Sequence, residues 1–483
     1  MVENIESSCG GLGICGKCKI KVLHGKVSEV TETENRILGE EEIKKGYRLA
    51  CMTRGYGEIV IEVPEVKPRI LESKKIFSSK KAENYGIVVD IGTTTVVVAI
   101  IDLKTGNKIA ELTELNRQMK YGYDVISRVS TSLRELNKAI ISQFNDMVIK
   151  LTSSLNIGLE KIKKCICVGN PAMIHSFFGI PVDSLGKAPF IPHTKSEILV
   201  SGKAIGLATS CKVYSPPIVS GFFGGDALSF ILSQKIYEKR NVLGIDIGTN
   251  GEIVLSTEDK IFATSTAAGP AFEGVSLSCG MLAREGAIEK VRYSNGFRVY
   301  TIGDCKPSGI CGSGYIDAIA SMLKAGLIDG SGKIVEGERV NITDEIYITR
   351  EDIFKIQIAK AAIFTGIDIL LDRGKIDKED IEAVLIAGSF GRYINPVSAV
   401  IIGLLPEVNP EIVKTVGNAA LEGAVALRFK KNRYKIQKIA SDIEYVNLYR
   451  EKTFEDKLVD ATFLPHLDKK RFANIERYMN MLK

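Results

Sequence analysis

Short runs of apolar residues, each ended by a glycine-rich turn, recur along this chain and predict buried strands. The clearest run, residues 87–91 (IVVDI), precedes the turn 92–95 (GTTT) and a second apolar run, residues 96–101 (VVVAII). Runs of β-branched residues bounded by glycine are typical of strands that are buried on both faces. The pattern therefore predicts a β-hairpin in the core of an α/β fold.

The same strand–turn–strand pattern occurs a second time. Residues 242–247 (VLGIDI) are apolar, residues 248–251 (GTNG) form a turn, and residues 252–255 (EIVL) return. Each copy contains the sequence Asp-Ile-Gly-Thr, which starts at Asp90 in the first copy and at Asp246 in the second. An internal repeat at domain-scale spacing predicts two similar lobes.

These two turns have the chemistry of a phosphate-binding site. Glycine allows the backbone to approach a ligand closely, and turn amides and threonine hydroxyls donate to phosphate oxygens. A carboxylate at the strand end, as at Asp90 and Asp246, is suited to a phosphate-bound Mg²⁺. One such turn would equally fit an ordinary hairpin, whereas two copies indicate a polyphosphate gripped from both sides. The candidate phosphate ligands are Gly92, Thr93, Thr94, Gly248, Thr249 and Asn250.

A third apolar run, residues 383–387 (AVLIA), is followed by the glycine-rich turn 388–392 (GSFGR). A long helix is predicted before it, with Thr349 as N-cap, Asp352 three residues later and Gly374 at its end. This order of helix, strand and glycine turn suits a site for the adenosine of a nucleotide, and the alternative is a tight strand-to-helix turn. The candidate adenosine ligands are Gly388, Ser389, Phe390 and Gly391.

Two further glycine-rich segments add candidates for the same site. Asn170 follows a predicted buried strand, and Asp226 follows the pair Gly224-Gly225. Asp226 could bind Mg²⁺ or orient the attacking water. Each segment alone fits a packing turn equally well. We expect Asp226 to be functional, together with Asp90 and Asp246.

The cysteines predict a metal centre near the start of the chain. Cys9, Cys15, Cys18 and Cys51 follow the spacing C-x5-C-x2-C and then a distant fourth cysteine, within a glycine-rich loop (CGGLGICGKC). Such a loop can supply several thiolates and inward-facing amides to an iron–sulfur cluster, and the spacing resembles that of [2Fe–2S] ferredoxins. A zinc site and a purely structural loop are the alternatives. We expect the other six of the 10 cysteines to pack in the core.

Composition and charge exclude several classes of protein. With 45% apolar and 25% charged residues the chain is typical of a soluble globular protein. The net charge of +6 on 483 residues is a small excess for a dedicated nucleic-acid binder. No apolar run approaches the ~18–20 residues of a membrane span, and no secretory signal is seen, so we expect a cytoplasmic protein with neither nucleic-acid nor membrane partners.

Changes in composition predict the domain organisation. Residues 1–64 form a ferredoxin-like segment, and the polar, basic residues 65–84 form a linker. Residues 85–240 form the first lobe, and residues 241–483 form the second lobe, with C-terminal elements that return to the first.

The motifs together resemble one family, the reductive activators of corrinoid proteins with an N-terminal [2Fe–2S] domain. The paired hairpins alone resemble the superfamily of acetate and sugar kinases, heat-shock chaperones and actin. The resemblance implies an α/β, two-lobed, actin-like (ribonuclease H-like) ATPase fold, preceded by a truncated β-grasp ferredoxin-like segment. The matching motifs are CGGLGICGKC, YGIVVDIGTTT, YGYDVISR, VGNPAMIH, SGFFGGD, IDIGTNGEI, STAAGPAFEG, GICGSG, IAGSFGRY, GNAALEGA and FLPH.

The resemblance implies an ATP-dependent one-electron reduction of a corrinoid protein, from Co(II) to Co(I). The cofactors would be a [2Fe–2S] cluster, ATP and Mg²⁺. The partners would be the corrinoid protein of a methyltransferase system and an upstream low-potential electron donor, a ferredoxin or a flavoprotein, in anaerobic metabolism. A homodimer is compatible with this reading.

The sequence departs from the family at its start, and other functions stay open. Only eight residues precede Cys9, so we expect a ferredoxin domain that is truncated or incomplete. The alternatives are an ATP-driven electron donor to a partner without corrinoid, a small-molecule kinase of the same superfamily, and a redox sensor whose cluster controls nucleotide binding.

Overall fold

The computed structural model of the chain describes residues 18–63, 73–78, 82–122, 124–274, 277–388 and 394–482. The chain divides into two compact units, residues 1–215 and residues 216–483. Among the described residues, none of the helices has the length and apolar character needed to cross a membrane.

A small antiparallel sheet follows the first cysteines. Its strands are β1 (Lys19–Val27), β2 (Tyr47–Leu49) and β3 (Gly55–Glu62), in the order β2-β1-β3, and helix α1 (Glu32–Lys44) connects β1 to β2. A capping box between Thr31 and Glu34 begins α1, and Gly39 interrupts it with a φ of 71°. Leu38 packs with Leu49 and Cys18 in a small apolar core. This core holds the β1–β2 pair against the helix.

The rest of the first unit is built on a seven-stranded mixed sheet. Its order is β4-β7-β6-β5-β8-β10-β9, with β5, β6 and β7 antiparallel and β8 parallel to both β5 and β10. The strands are β4 (Ser73–Ile76), β5 (Tyr85–Ile91), β6 (Thr95–Asp102), β7 (Lys108–Leu115), β8 (Ile162–Gly169), β9 (Ile198–Ser201) and β10 (Lys212–Ser215). The helices are α2 (Val125–Val129), α3 (Leu133–Ser154) and α4 (Pro171–Phe178).

Strand β4 corrects part of the predicted linker. It lies inside residues 65–84, yet it pairs antiparallel with β7, with Lys75 opposite Glu111. Its side chains are mostly exposed, and lysines are common on edge strands because they discourage pairing with other chains. The prediction of a solvated tether is therefore wrong for these four residues, since their polar side chains face water while their backbone completes the sheet.

The second unit is built on a six-stranded mixed sheet in the order β20-β19-β11-β12-β13-β21. Smaller sheets, β15-β14-β16 and β17-β18, accompany it. The strands are β11 (Val242–Ile247), β12 (Gly251–Ser256), β13 (Ile261–Thr266), β14 (Ala287–Tyr293), β15 (Phe297–Thr301), β16 (Gly309–Ile310), β17 (Arg339–Asn341), β18 (Tyr347–Thr349), β19 (Ala383–Ala387), β20 (Val413–Gly417) and β21 (Ile443–Tyr445). The helices are α5 (Gly225–Gln234), α6 (Gly312–Lys324), α7 (Arg350–Gly374), α8 (Pro396–Ile401), α9 (Ala419–Ala426), α10 (Lys430–Asp442), α11 (Phe454–Ala461) and α12 (Ile475–Met481).

Helix α7 confirms the predicted signals at both of its ends. Thr349 and Asp352 form a capping box, in which the Asp352 amide donates to Thr349 Oγ1 at 3.2 Å and the Thr349 amide donates to Asp352 Oδ2 at 2.9 Å. Gly374 is its last residue, and Lys375 takes the left-handed conformation. The helix packs on β12 and β13, while α11 packs against α7 and α12 packs against α8. Helices α11 and α12 thus pack within the second unit.

The two units repeat one arrangement of strands. In the first, β5 pairs antiparallel with β6 and parallel with β8, and in the second, β11 pairs antiparallel with β12 and parallel with β19. Asp90 and Asp246 occupy equivalent positions near the ends of β5 and β11. The predicted α/β fold with two similar lobes is therefore confirmed.

The six scattered cysteines follow the prediction only in part. Cys165, Cys167, Cys211 and Cys311 are buried, and Cys279 is half-buried. Cys305 is exposed, because it follows the turn at Gly303 and Asp304, where both residues have positive φ. The prediction that all six cysteines pack in the core is therefore wrong for Cys305.

Candidate nucleotide and cluster sites

Two of the four predicted cluster ligands lie together. Cys18 directly precedes β1 and is 2% exposed, and Cys51 follows β2. Their Sγ atoms are 3.2 Å apart, and the Ala50 amide donates to the Cys18 carbonyl at 2.8 Å, which fixes the two backbone segments side by side. Cys9 and Cys15 lie outside the described residues. The thiols of Cys18 and Cys51 therefore lie close enough to bind a common metal group.

A buried ion pair supports the loop that carries Cys51. Arg48 donates through Nε and Nη2 to the two carboxylate oxygens of Glu34, at 2.9 and 3.0 Å. Glu34 also accepts from the Leu49 amide and the Thr53 hydroxyl, both at 3.1 Å. Burial opposes ionisation of Glu34, but the hydrogen bonds from Arg48, Thr31 and Leu49 outweigh it and lower the pKa to about 2. The residues on either side of Cys51 are thus tied to α1.

The first hairpin turn is held by its carbonyl groups. Asn116 donates through Nδ2 to the Gly92 carbonyl and through its amide to the Thr94 carbonyl, both at 2.8 Å. Arg128 donates through Nη2 to the Thr93 carbonyl at 2.5 Å. In a trans peptide the carbonyl and the following N–H point in opposite directions. The amides of Thr93 and Thr94 are therefore directed away from Asn116 and Arg128, as an anion site requires.

Asn170 lies beside this turn. It follows β8, which is parallel to β5, so the carboxyl ends of the two strands lie side by side. Its Nδ2 donates to Thr93 Oγ1 at 3.0 Å, and its Oδ1 accepts from the Met173 amide as the N-cap of α4. Asn170 and Thr93 are both buried. One residue thus begins α4 and fixes the Thr93 hydroxyl.

Arg128 and Asn116 contact the first turn, and sequence reasoning missed both. Arg128 lies in the YGYDVISR motif, which marked the family resemblance without a role being assigned to it. Asn116 follows β7 with no motif of its own. The motif was a usable signal for Arg128, whereas nothing in the sequence identified Asn116.

The second turn is supported by different chemistry. The Gly248 amide donates to the Asn250 carbonyl at 3.0 Å, and the Gly269 amide donates to the Thr249 carbonyl at 2.9 Å. The Thr249 hydroxyl lies 3.3 and 3.4 Å from the two carboxylate oxygens of Glu273. A carboxylate therefore lies beside this turn, in place of the guanidinium beside the first.

Three carboxyl groups gather next to the second turn. Asp246 is the residue before the last of β11, Glu252 lies opposite it on β12, and Asp226 lies in the first turn of α5. Burial raises the pKa of Glu252 well above its usual range, and the charges of Asp226 and Asp246 raise it further. Glu252 was missed by the sequence analysis, although its place in the hairpin puts it across from Asp246. Among the described residues, no three or more His, Cys, Asp or Glu side chains form a preformed metal site.

The predicted adenosine turn begins beside the same aspartate. Gly388 follows β19 with a φ of 97°. A Cβ there would lie 2.6 Å from the Ile247 carbonyl oxygen and 3.0 Å from Asp246 Oδ1, so only glycine fits. Ser389, Phe390 and Gly391 lie outside the described residues. The structure thus brings Gly388 to Asp246 across the parallel pair β11–β19.

Family models match most of the chain. The model described as "C-terminal domain of RACo the ASKHA domain" matches residues 240–476, and "RACo middle region" matches residues 85–239. The "2Fe-2S iron-sulfur cluster binding domain" model matches residues 3–54. The second unit therefore has the actin-like fold, and a ferredoxin-type domain stands at the start of the chain.

Two curated relatives carry related names. Corrinoid activation enzyme RamQ of Eubacterium limosum is 36% identical over 383 residues, which cover 72% of this chain and 64% of RamQ. The reductase of the Co(II) methylated amine-specific corrinoid protein of Methanosarcina barkeri is 27% identical over 384 residues, which cover 72% of this chain and 71% of that protein. The chain thus aligns with less than two thirds of the length of RamQ.

A solved structure matches nearly the whole chain. The reductive activator for corrinoid, iron-sulfur protein has 30% sequence identity and a TM-score of 0.75, and the match covers 97% of this chain and 95% of that one. The cysteine pair, the two repeated turns and the length of the match therefore indicate the same family. The chain belongs to the family of reductive activators of corrinoid proteins.

Proposed function

We propose that this protein is an ATP-dependent reductase that returns the cobalt of a corrinoid protein from Co(II) to Co(I). The observation that carries the proposal is the joining, in one chain, of the Cys18–Cys51 pair with two Asp-Ile-Gly-Thr turns of one topology. The cysteine pair is suited to a low-potential redox group, and the two turns are suited to a polyphosphate. The relatives named above act on corrinoid proteins, which supports the same acceptor here.

The proposed cluster ligands are Cys9, Cys15, Cys18 and Cys51. The buried Cys18 thiol and its neighbour at 3.2 Å fit a cluster, because thiolates are its usual ligands and the Glu34–Arg48 pair stiffens the adjoining backbone. When bound, a [2Fe–2S] cluster supplies one-electron chemistry near −400 mV. The chain contributes a largely buried thiol environment for it at Cys18.

The proposed ATP site uses the two turns and the adenosine turn. The amides of the first turn and the Thr93 hydroxyl would bind phosphate oxygens, and Asn170 orients that hydroxyl. Mg²⁺ in such sites is usually held by one or two carboxylates and by the phosphates themselves. Asp90, Asp226 and Asp246 are the proposed carboxylates, with Asp226 orienting the attacking water. The other proposed ligands are Gly92, Thr94, Gly248, Thr249, Asn250, Gly388, Ser389, Phe390 and Gly391.

ATP would supply the free energy for an unfavourable electron transfer. If the cobalt couple lies ~100 mV below the cluster, the transfer costs roughly 2.3 kcal/mol, because ~59 mV is a tenfold factor for one electron. A nucleotide that binds one conformation more tightly than another can shift the equilibrium by that much. We infer that ATP binding favours the conformation in which the corrinoid protein accepts the electron.

The remaining assignments belong to the same proposal. A corrinoid protein of a methyltransferase system is the proposed substrate, and a low-potential ferredoxin or flavoprotein is the proposed electron donor. The proposed domain division is 1–64 for the ferredoxin-like segment, 65–84 for the linker, 85–240 for the first lobe and 241–483 for the second, with β4 of the linker joined to the sheet of the first lobe. A homodimer and a cytoplasmic location are further parts of this proposal.

Anaerobic spectroscopy tests the proposal. The protein, reconstituted with iron and sulfide, is mixed with a Co(II) corrinoid protein and a low-potential reductant, and the Co(I) absorption band is followed. We expect the band to grow with ATP and not with ADP or without nucleotide. Equal growth without nucleotide would contradict the coupling. ATP-dependent reduction of unrelated acceptors, with none for the corrinoid protein, would contradict the choice of substrate.

A further inference from the structure

Arg128 is a buried cation to which the proposed function gives no role. Its side chain is 0% exposed. The guanidinium donates through Nε to the Gly122 carbonyl at 2.7 Å and through Nη2 to the Thr93 carbonyl at 2.5 Å. Its Nη1 also lies 3.5 Å from the sulfur of Met173 in α4. Burying a guanidinium carries a desolvation penalty, so its position against the first turn calls for an explanation.

The YGYDVISR motif fixes the position of this guanidinium. Asp124 is the N-cap of α2, and a capping box joins it to Ser127. Gly122 has a φ of 150°, and a Cβ there would lie 2.1 Å from Ser127 Oγ. The glycine, the cap and the arginine therefore form one local unit, in which the Gly122 carbonyl turns towards Arg128. The guanidinium is held in place before any ligand arrives.

The contacts of Arg128 determine what the first turn presents. With the Thr93 carbonyl bound to Arg128, peptide planarity sends the Thr94 amide to the opposite side. The Thr93 hydroxyl accepts from Asn170, which leaves its own proton for another acceptor. The turn thus presents donors, with a fixed positive charge one hydrogen bond behind them. Such an array favours an anion.

We propose that Arg128 is a positioning residue for the ATP phosphates, which anchors the Thr93 carbonyl so that the first turn presents its donors and which adds a positive charge behind them. This inference rests on the proposed function, since it requires that the first unit bind ATP. Arg128 acts through the turn, so its contribution falls on the phosphates and not on the adenosine.

The test compares the binding of ATP and AMP to the full chain by calorimetry. AMP lacks the β- and γ-phosphates, so the ratio of the two affinities isolates them. Arg128→Lys keeps the charge and loses the planar fork, and Arg128→Gln loses both. We expect the ratio to fall about tenfold in Arg128→Gln and by less in Arg128→Lys. A parallel loss of ATP and AMP affinity, or no change, would overturn the inference.

A matched control and a second variant keep the test decisive. Arg292 is a half-buried arginine of the other unit that donates to Asp317 at 2.8 Å, and Arg292→Lys should leave the ratio unchanged. If the Arg128 variants do not fold, Asn116→Ser decides. It removes the donor to the Gly92 carbonyl but keeps the backbone bond to Thr94, and an unchanged ratio would refute the anchoring argument. Absence of ATP binding by the unmodified protein would instead remove the proposed function, and this inference with it.

Discussion

The two Asp-Ile-Gly-Thr turns have the same strand topology and different charged neighbours. The first is bonded through its Thr93 carbonyl to the buried guanidinium of Arg128. In the second, the Thr249 hydroxyl faces the carboxylate of Glu273, and Glu252 lies opposite Asp246. The repeated motif thus specifies the path of the backbone and one aspartate in each copy, whereas residues outside it give each turn a different charged neighbour.

This difference indicates a division of labour within the proposed ATP site. A turn that presents amides and a hydroxyl beside a cation suits phosphate oxygens. A turn surrounded by carboxyl groups suits the Mg²⁺ that accompanies those phosphates. In the proposed ATP site, one copy of the motif would therefore bind phosphates and the other would bind Mg²⁺. Variants that change one turn at a time test this interpretation.

The largest effect is expected from Cys18→Ser, which removes a proposed cluster ligand and leaves both turns intact. Electron delivery to the corrinoid protein should be abolished, because serine is a poor substitute for a thiolate ligand. ATP affinity should stay unchanged, since Cys18 packs in the small core with Leu38 and Leu49. The measurements are the Co(I) band and calorimetric ATP binding. An equal loss of ATP binding would show that the turns depend on the cluster segment.

Asp246→Ala should reduce ATP hydrolysis by at least about 100-fold, because a single electrostatic group at a reaction centre typically contributes that much. The visible absorption of the reconstituted cluster should survive, which serves as the control for folding of the first segment. Normal hydrolysis by this variant would contradict the acidic role of the second turn.

Replacing the turn threonines compares the two turns directly. Thr93→Val removes a hydroxyl whose proton is available to a phosphate, and we expect ATP affinity to fall about tenfold. Thr249→Val removes a hydroxyl that faces Glu273, so ATP affinity should change less and the Mg²⁺ dependence should change more. Each variant is the control for the other, and equal effects in both assays would remove the distinction.

The smallest expected effect is a pH dependence of stability that arises in α4, the helix next to the first turn. His175 is buried in α4, the helix that Asn170 begins, and burial lowers the pKa of its imidazole below 6.5. The folded state therefore resists a proton that the unfolded state accepts, so stability is lost as pH falls below about 6.5, by at most about 1.4 kcal/mol per pH unit. His175→Gln should flatten this dependence in thermal unfolding. Exposed His24→Gln should not, and an unchanged slope in His175→Gln would contradict the prediction.

Much of the fold followed from local signals in the sequence. The hairpins were predicted because β-branched runs and glycine turns act over a few residues, and both ends of α7 followed from its caps. Asn170 was a candidate for the same site as Thr93, and the structure brings the two together because β5 and β8 are parallel neighbours that end at the same edge of the sheet. These predictions needed only short-range rules and one rule of topology.

The rest depended on contacts between distant segments. Asn116 and Glu273 reach the turns from other elements, and no spacing in the sequence announces either contact. Strand β4 is polar because its side chains face water, so its composition matches that of a tether. Cys305 was placed in the core on composition, but the path of the chain after Asp304 leaves it exposed.

The pairing of β4 with β7 also limits how far the iron–sulfur segment can travel. Because the backbone is anchored again at Ser73, only nine residues separate Val63 from that anchor, and an extended chain of this length reaches roughly 35 Å. A linker of twenty residues would have allowed about twice that distance. In the proposed reductase, an electron acceptor would therefore have to bind within this distance of β4, so the binding site of the partner would matter more than movement of the iron–sulfur segment.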